Sequence, residues 1–309
     1  MTTPDEAQTG IAQTRRYRLV HSTVYTYSDE VSTSYGRAHL VPRDIAGQRC
    51  LSSQVLVDPP PAEQREHVDF YGNRSTYFAV DHRHTRLTVT AASEVEVVRA
   101  AASADQLADI GWEQARDGLH GPRTLDPEVL DACGYLLGSP LVNPGAAADY
   151  ATLTFTPGRA IGECLQDLFT RIYTDFTFKS GSTTVRTTLP EVLASRTGVC
   201  QDFAHLAVGA CRSVGLAARY VSGYVETRPP PGQARLEGAD ASHAWASLFV
   251  PDVGWIDFDP TNNQFVDSRY VVVAWGRDYG DVPPLKGVIF TEATKSTMQV
   301  SVDMAAAQD

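Results

Sequence analysis

No run in this chain approaches the ~20 consecutive apolar residues that a membrane-spanning helix needs, so no such helix is expected. Positive charge is short. A net charge of −11 and a pI near 5.2 argue against nucleic acid or an anionic membrane as the main partner. The segment Met1-Thr2-Thr3-Pro4-Asp5-Glu6 has neither the basic nor the apolar region of a secretory signal. Cysteine is sparse: the five residues at 50, 133, 164, 200 and 211 are odd in number and show no framework spacing. That count fits a reducing compartment, and a cytoplasmic location is the expectation. Phosphate loops, dinucleotide fingerprints, EF-hand loops and internal repeats are all missing, so no nucleotide, calcium or other cofactor is expected.

What remains is the composition of an ordinary globular protein, 43% hydrophobic and 20% charged, with 309 residues to build one large or two ordinary cores. Residues 1–14 read as a disordered leader. Over 15–98 the pattern alternates with a period of two: Tyr17, Leu19, His21, Thr23 and Tyr25 oppose Arg18, Val20, Ser22, Val24 and Thr26. Further strands are expected at Gln54–Asp58, Arg74–Val80 and Arg86–Ala91, punctuated by Pro59-Pro60-Pro61 and Tyr71-Gly72-Asn73. This reads as an N-terminal β-sandwich.

The period changes after residue 98. Ser103 to Gln106 is a capping-box pattern, and Asp126-Pro127-Glu128 opens a helix with Val129, Leu130, Cys133, Leu136 and Leu137 as its apolar face. Residues 99–155 form a helical connector, and 156–309 a second domain. A helix over 160–175 carries Ile161, Cys164, Leu165, Leu168, Phe169 and Ile172 at core spacing. Thr188-Leu189-Pro190-Glu191 is a second capping box, and a long helix runs from Cys200 to Val214 before Gly215. A loop from Thr227 to about Ala239 is long enough to be functional.

Three residues carry the chemistry. Cys200 follows a glycine-containing turn, Gly198-Val199, and opens a helix whose unpaired N–H groups and dipole face the sulfur. Sites of that kind favour a nucleophilic thiolate. His243 lies 43 residues on, in the strand Ala241–Val250, and Asp259 follows 16 residues later at the end of Gly254–Asp259. A hairpin through Pro251-Asp252-Val253-Gly254 brings a base and an orienting carboxylate side by side. Asp257 shares a strand face with Asp259 by alternation, so spacing leaves both open as the orienting group.

Other clusters are weaker. His82 and His84 share a strand face, but no third ligand is evident, and no metal is expected. His205 sits about 140° round the helix from Cys200 and reads as a hydrogen-bonded core histidine. Asp202 is placed to act on the helix dipole or to hold the surrounding loops. Arg219 and Tyr220 either line a cleft or fix a sheet. Cys50, Cys133, Cys164 and Cys211 read as small buried hydrophobes.

Around these residues the chain resembles the bacterial transglutaminase-like cysteine enzymes. The motifs are Gly198-Val199-Cys200-Gln201-Asp202-Phe203-Ala204-His205, Ala218–Tyr224, Ala241-Ser242-His243-Ala244-Trp245, Gly254–Asn262 and Val272–Val288. Tyr17–Tyr27, Leu40-Val41-Pro42-Arg43 and Asp69-Phe70-Tyr71-Gly72-Asn73 resemble the β-rich domain that often precedes this core. The resemblance implies an α+β fold: an N-terminal β-sandwich followed by a papain-like transglutaminase core, whose Cys-bearing helix packs on an antiparallel sheet. It implies a Cys200, His243 and Asp259 triad, Asp259 being favoured because the family's carboxylate precedes Pro-Thr.

The reaction implied is thiol-dependent hydrolysis of a peptide or isopeptide amide through a thioacyl intermediate. The alternatives are transfer to an amine, as in a true transglutaminase, and a catalytically silent peptide-binding module. Partners are then peptide or protein substrates. The Cys200 N–H is one oxyanion donor. The tryptophan that supplies a second donor in animal transglutaminases is absent from Tyr173–Phe178, which leaves Tyr173, another backbone N–H or Gln201. The position of Gln201 on the helix points its side chain away from the thiol. Trp245 and Trp255 flank the triad strands, as packing or as a shield of the ion pair from water.

Overall fold

A computed structural model describes residues 13–120, 126–227 and 242–307. Of the expected leader, only Gln13 and Thr14 fall within these residues, and they begin the first strand. Most of the expected loop after Thr227 lies outside them.

The chain opens with β1 (Gln13–Ala38), β2 (Gln48–Asp58), β3 (Glu63–Val68), β4 (Arg74–Val80) and β5 (His84–Arg99). Short helices follow: α1 (Trp112–Asp117), α2 (Pro127–Cys133) and α3 (Pro144–Thr152). Next come α4 (Ile161–Asp175), β6 (Thr177–Phe178), α5 (Leu189–Ser195), β7 (Thr197–Gly198) and α6 (Cys200–Ser213). The chain continues with β8 (Ala218–Val225), β9 (Ser242–Val250), β10 (Gly254–Asp259), β11 (Gln264–Phe265), β12 (Tyr270–Gly276), β13 (Leu285–Thr291) and β14 (Ser296–Ala306). The class is α+β.

The strands expected within 15–98 belong to one seven-stranded sheet, ordered β2-β5-β1-β4-β3, with β13 and β14 also paired to β1. Its spine is the 26-residue β1. One edge of β1 bonds β5 and β4; the other bonds β14, with Thr23 opposite Val300 and Tyr25 opposite Met298, and then β13. Residues 285–306, grouped with the second domain by sequence, thus sit in the first sheet. Alternation reveals strands but not their hydrogen-bond partners, so this pairing was outside its reach.

The second sheet is antiparallel throughout, ordered β11-β10-β9-β8-β12. α6 packs against it and is buried from Gln201 to Arg212. A helix so enclosed must pair its polar groups. The Arg212 guanidinium donates to the Ala218 carbonyl at 2.8 Å and the Arg277 carbonyl at 2.8 Å. His205 Nε2 accepts the Tyr279 N–H at 3.1 Å. The apolar face expected of α4 is buried in full, against Phe203, Leu206 and Leu248 among others. A separate cluster, with Tyr17, Val95 and Met304 on one side and Tyr220, Tyr224 and Val271 on the other, joins the two sheets.

Both capping boxes form: Ser103 with Gln106, and Thr188, whose N–H donates to the Glu191 carboxylate at 2.7 Å. α2 departs from expectation. It stops at Cys133, and Leu130 and Leu137 are exposed rather than in the core. Leu130 lies one residue off the Val129 face, and Leu137 lies beyond the helix end.

Candidate functional site

The turn that delivers Cys200 is held at both ends. Arg196, in the left-handed region with φ 54°, ends α5. β7 then pairs in parallel with β6, Thr197 against Thr177 and Gly198 against Phe178. Gly198 permits a close approach: a Cβ there would meet Asp202 Cβ at 2.9 Å and the Phe203 ring at 3.1 Å. Asp202 reaches back from the first helical turn. Its Oδ2 accepts the Val199 N–H at 2.8 Å and the Thr183 hydroxyl at 2.7 Å. Val199 has no side-chain acceptor to return the bond, so this is half of a capping box. Burial raises the Asp202 pKa, opposed by these two bonds.

His243 stands on β9 opposite Gly223 of β8, and Trp245 follows on the same face. A Cβ at Gly223 would meet Trp245 Cη2 at 2.6 Å, so only glycine leaves room for the indole. His243 Nε2 bonds Asp259 Oδ2 at 2.7 Å. Cys200 lines the same cleft as this imidazole and acts on its charge, and Nδ1 is the ring nitrogen that Asp259 leaves free. Burial pulls the His243 pKa down, but the Asp259 carboxylate and the Cys200 contact outweigh it and raise the value to about 10. Asp259 is held below the usual carboxylate range, because the His243 attraction and its hydrogen bonds outweigh burial.

Asp259 is fully enclosed and well supplied with donors. Oδ1 accepts the Thr261 N–H at 2.8 Å and the Asn262 N–H at 3.3 Å. Oδ2 also accepts the Asn262 amide at 2.7 Å and the Tyr270 hydroxyl at 2.8 Å. Gln264 Nε2 donates to that hydroxyl at 2.7 Å. Sequence reasoning missed Asn262, Gln264 and Tyr270. Asn262 was within reach of it, three residues after Asp259; Tyr270 joins from β12, across the sheet.

Asp257 does share the strand face of Asp259, as alternation predicts, but sits two residues further from His243. It neighbours Arg219, and its Oδ1 has no partner among the described residues. Arg219 lies between the Trp255 and Trp275 rings, 3.9 and 3.7 Å from their centroids. It belongs to the sheet's packing, whereas Tyr220 lines the cleft.

That cleft, about 250 Å³, runs past Cys200 and His243 between the two sheets. Gln201 is among the residues that line it, and its Nε2 lies 3.5 Å from the Val185 carbonyl. Tyr173 is 52% exposed on α4 and is not part of the cleft lining. Trp245 is fully buried, edge-on to Tyr270 at 5.3 Å, and its indole N–H has no partner among the described residues. His84 bonds Ser34 and the His82 carbonyl, both at 2.8 Å. Among the described residues, no group of three or more His, Cys, Asp or Glu could hold a metal ion.

Comparisons with known proteins agree on the family. Residues 17–96 match the model of the bacterial transglutaminase-like N-terminal region, and residues 146–260 that of the transglutaminase-like superfamily. An uncharacterized protein of Mycobacterium tuberculosis is 47% identical, over 95% of this chain and 94% of that one. A protein-glutamine gamma-glutamyltransferase of Pseudomonas aeruginosa is 35% identical over 69 residues, covering 22% of this chain and 10% of that protein. A crystal structure from Cytophaga hutchinsonii, described as a candidate cysteine protease, superposes with TM-score 0.75 at 20% identity, over 96% of this chain and 92% of that one. At that identity the likeness speaks for the fold.

Proposed function

The chain belongs to the transglutaminase-like superfamily, and from that premise we propose that it hydrolyses peptide or isopeptide amide bonds through Cys200, His243 and Asp259. The observation that carries this reading is the buried 2.7 Å bond from His243 to Asp259, with Cys200 and His243 lining one cleft.

The Cys200 sulfur attacks the amide carbonyl carbon, and a C–S bond forms. The His243 imidazolium gives its proton to the departing nitrogen, which leaves as an amine as the C–N bond breaks. A thioester remains on Cys200. His243, now neutral, takes a proton from water; the hydroxide adds to the thioester carbon, and the acid leaves as the sulfur is released. Asp259 fixes the ring and stabilises its cationic form. The Cys200 N–H, at a helix start where such groups lack intrahelical partners, faces the developing oxyanion. Gln201 is the second donor in this reading, since it lines the cleft with a weakly engaged amide.

An amine in place of water gives transglutaminase chemistry, the second reading, and the local likeness to the Pseudomonas aeruginosa gamma-glutamyltransferase supports it. A peptide or protein is the partner under both, and the cytoplasm is the proposed location. The test is a library of internally quenched peptides and γ-glutamyl amides, incubated with wild type and Cys200→Ala, with and without a primary amine. Turnover by wild type alone, with water as acceptor, supports hydrolysis. Amine-dependent products support transfer. Identical inactivity of both proteins across the library argues for a silent binding module.

A further inference from the structure

The wall facing Cys200 comes from the other sheet. Thr23 and Tyr25 of β1, and Val300 and Met298 opposite them on β14, line the cleft together with Cys200, Tyr220 and His243. Val300 and Met298 are 48% and 60% exposed, so their apolar side chains are open to a molecule in the cleft. Among the described residues that line the cleft there is no Lys, Arg, Asp or Glu.

His21, also in the wall, is pinned by the Tyr224 hydroxyl at 2.9 Å and the Thr23 hydroxyl at 3.2 Å. Burial pushes its pKa down to about 4, so it is uncharged at neutral pH. A charged substrate group settling against this wall loses water and meets no opposite charge among the wall's described residues, an unfavourable exchange. An apolar side chain that covers Val300 and Met298 gains by removing their surface, and its own, from water.

We propose that the β1–β14 pair is the substrate-selecting wall, and that it selects an uncharged, apolar segment inside a polypeptide over a charged side chain or chain terminus. The inference rests on the proposed thiol chemistry and names the substrate class for it. Met298 and Val300 act by contact with substrate side chains, Thr23 and Tyr25 by setting the wall's floor.

The full chain is treated with N-acetyl dipeptidyl chloromethyl ketones bearing leucine, lysine or glutamate next to the ketone. Cys200 labelling rates are read by mass spectrometry and divided by the iodoacetamide rate of the same protein. The leucine probe should exceed both charged probes by about 10-fold or more, the scale expected from uncompensated desolvation. Met298→Glu should narrow or invert the leucine-to-lysine ratio and leave glutamate disfavoured. Equal normalised rates for all three probes, with Cys200 still labelled quickly by iodoacetamide, overturn the selecting wall and leave the thiol chemistry standing. A Cys200 no more reactive to iodoacetamide than the buried cysteines overturns both.

Discussion

The Tyr270 hydroxyl donates to Asp259 Oδ2 at 2.8 Å, the same oxygen that bonds His243. The phenol arrives from a different strand and shares the carboxylate's charge. Replacing it by phenylalanine removes one charged hydrogen bond and leaves the Gln264 amide short of an acceptor. Tyr270→Phe should cost about 1.5–3 kcal/mol of stability, as bonds to charged groups do. Turnover should fall on the order of 10-fold with little change in KM, because the loss acts on the imidazolium. Urea denaturation and steady-state kinetics on a cleaved peptide check the two together.

The two carboxylates of β10 should separate cleanly. Asp259→Asn keeps the side chain's shape but removes the charge that stabilises the imidazolium, and turnover should drop by about 10³–10⁴-fold, as in other triads. Asp257→Asn touches neither imidazole nor thiol, and turnover should change by less than about 3-fold. Comparable losses for both would reassign the orienting role.

Thiol labelling should single out Cys200. Burial raises the pKa of Cys50 and Cys133, pushes Cys164 up to about 12, and takes Cys211 further. Those thiols stay protonated at pH 6–7, while Cys200 meets a protonated imidazole at a helix N-terminus. Iodoacetamide at pH 6.5 should modify Cys200 first, and His243→Ala should slow it by roughly 10-fold or more, since the neighbouring cation is lost. Peptide mapping against time reads the result.

Stability should peak near the ordinary histidine value of 6.5 and fall on both sides. On the alkaline side, the raised pKa of His243 gives a contribution fully present below 6.5 and lost as pH rises through about 10. On the acid side, burial lowers His21 and His205 to about 4, so the unfolded chain takes up protons first as pH falls from 6.5. Asp259, with its lowered pKa, holds its contribution above 3.8 and loses it only below that. Urea midpoints from pH 4 to pH 10 test the shape. His243→Gln should flatten the alkaline limb, and His205→Gln the acid limb.

Much of this was legible because the signals are local. The cysteine turn, the capping boxes and the α4 face depend on residues a few positions apart, where periodicity and capping chemistry speak directly. Alternation gave Asp257 and Asp259 the same facing and left both open; the Pro-Thr that follows Asp259 favoured it through the family resemblance, and Asp259 is the carboxylate that bonds His243. Tyr270 and the β1–β14 pairing were hidden for a common reason: strand partners distant in sequence leave no mark on local pattern.

That last pairing sets an order of assembly. Thr23 and Val300 face each other across a ladder but lie 277 positions apart, so their contact closes a loop containing nearly the whole fold. On the ribosome, Cys200, His243 and Asp259 have all been made before the residues that complete the wall. A chain stopped after 290 would keep the thiol, base and carboxylate but lack Met298 and Val300. During synthesis the residues proposed for the chemistry therefore precede the surface proposed to choose its substrate.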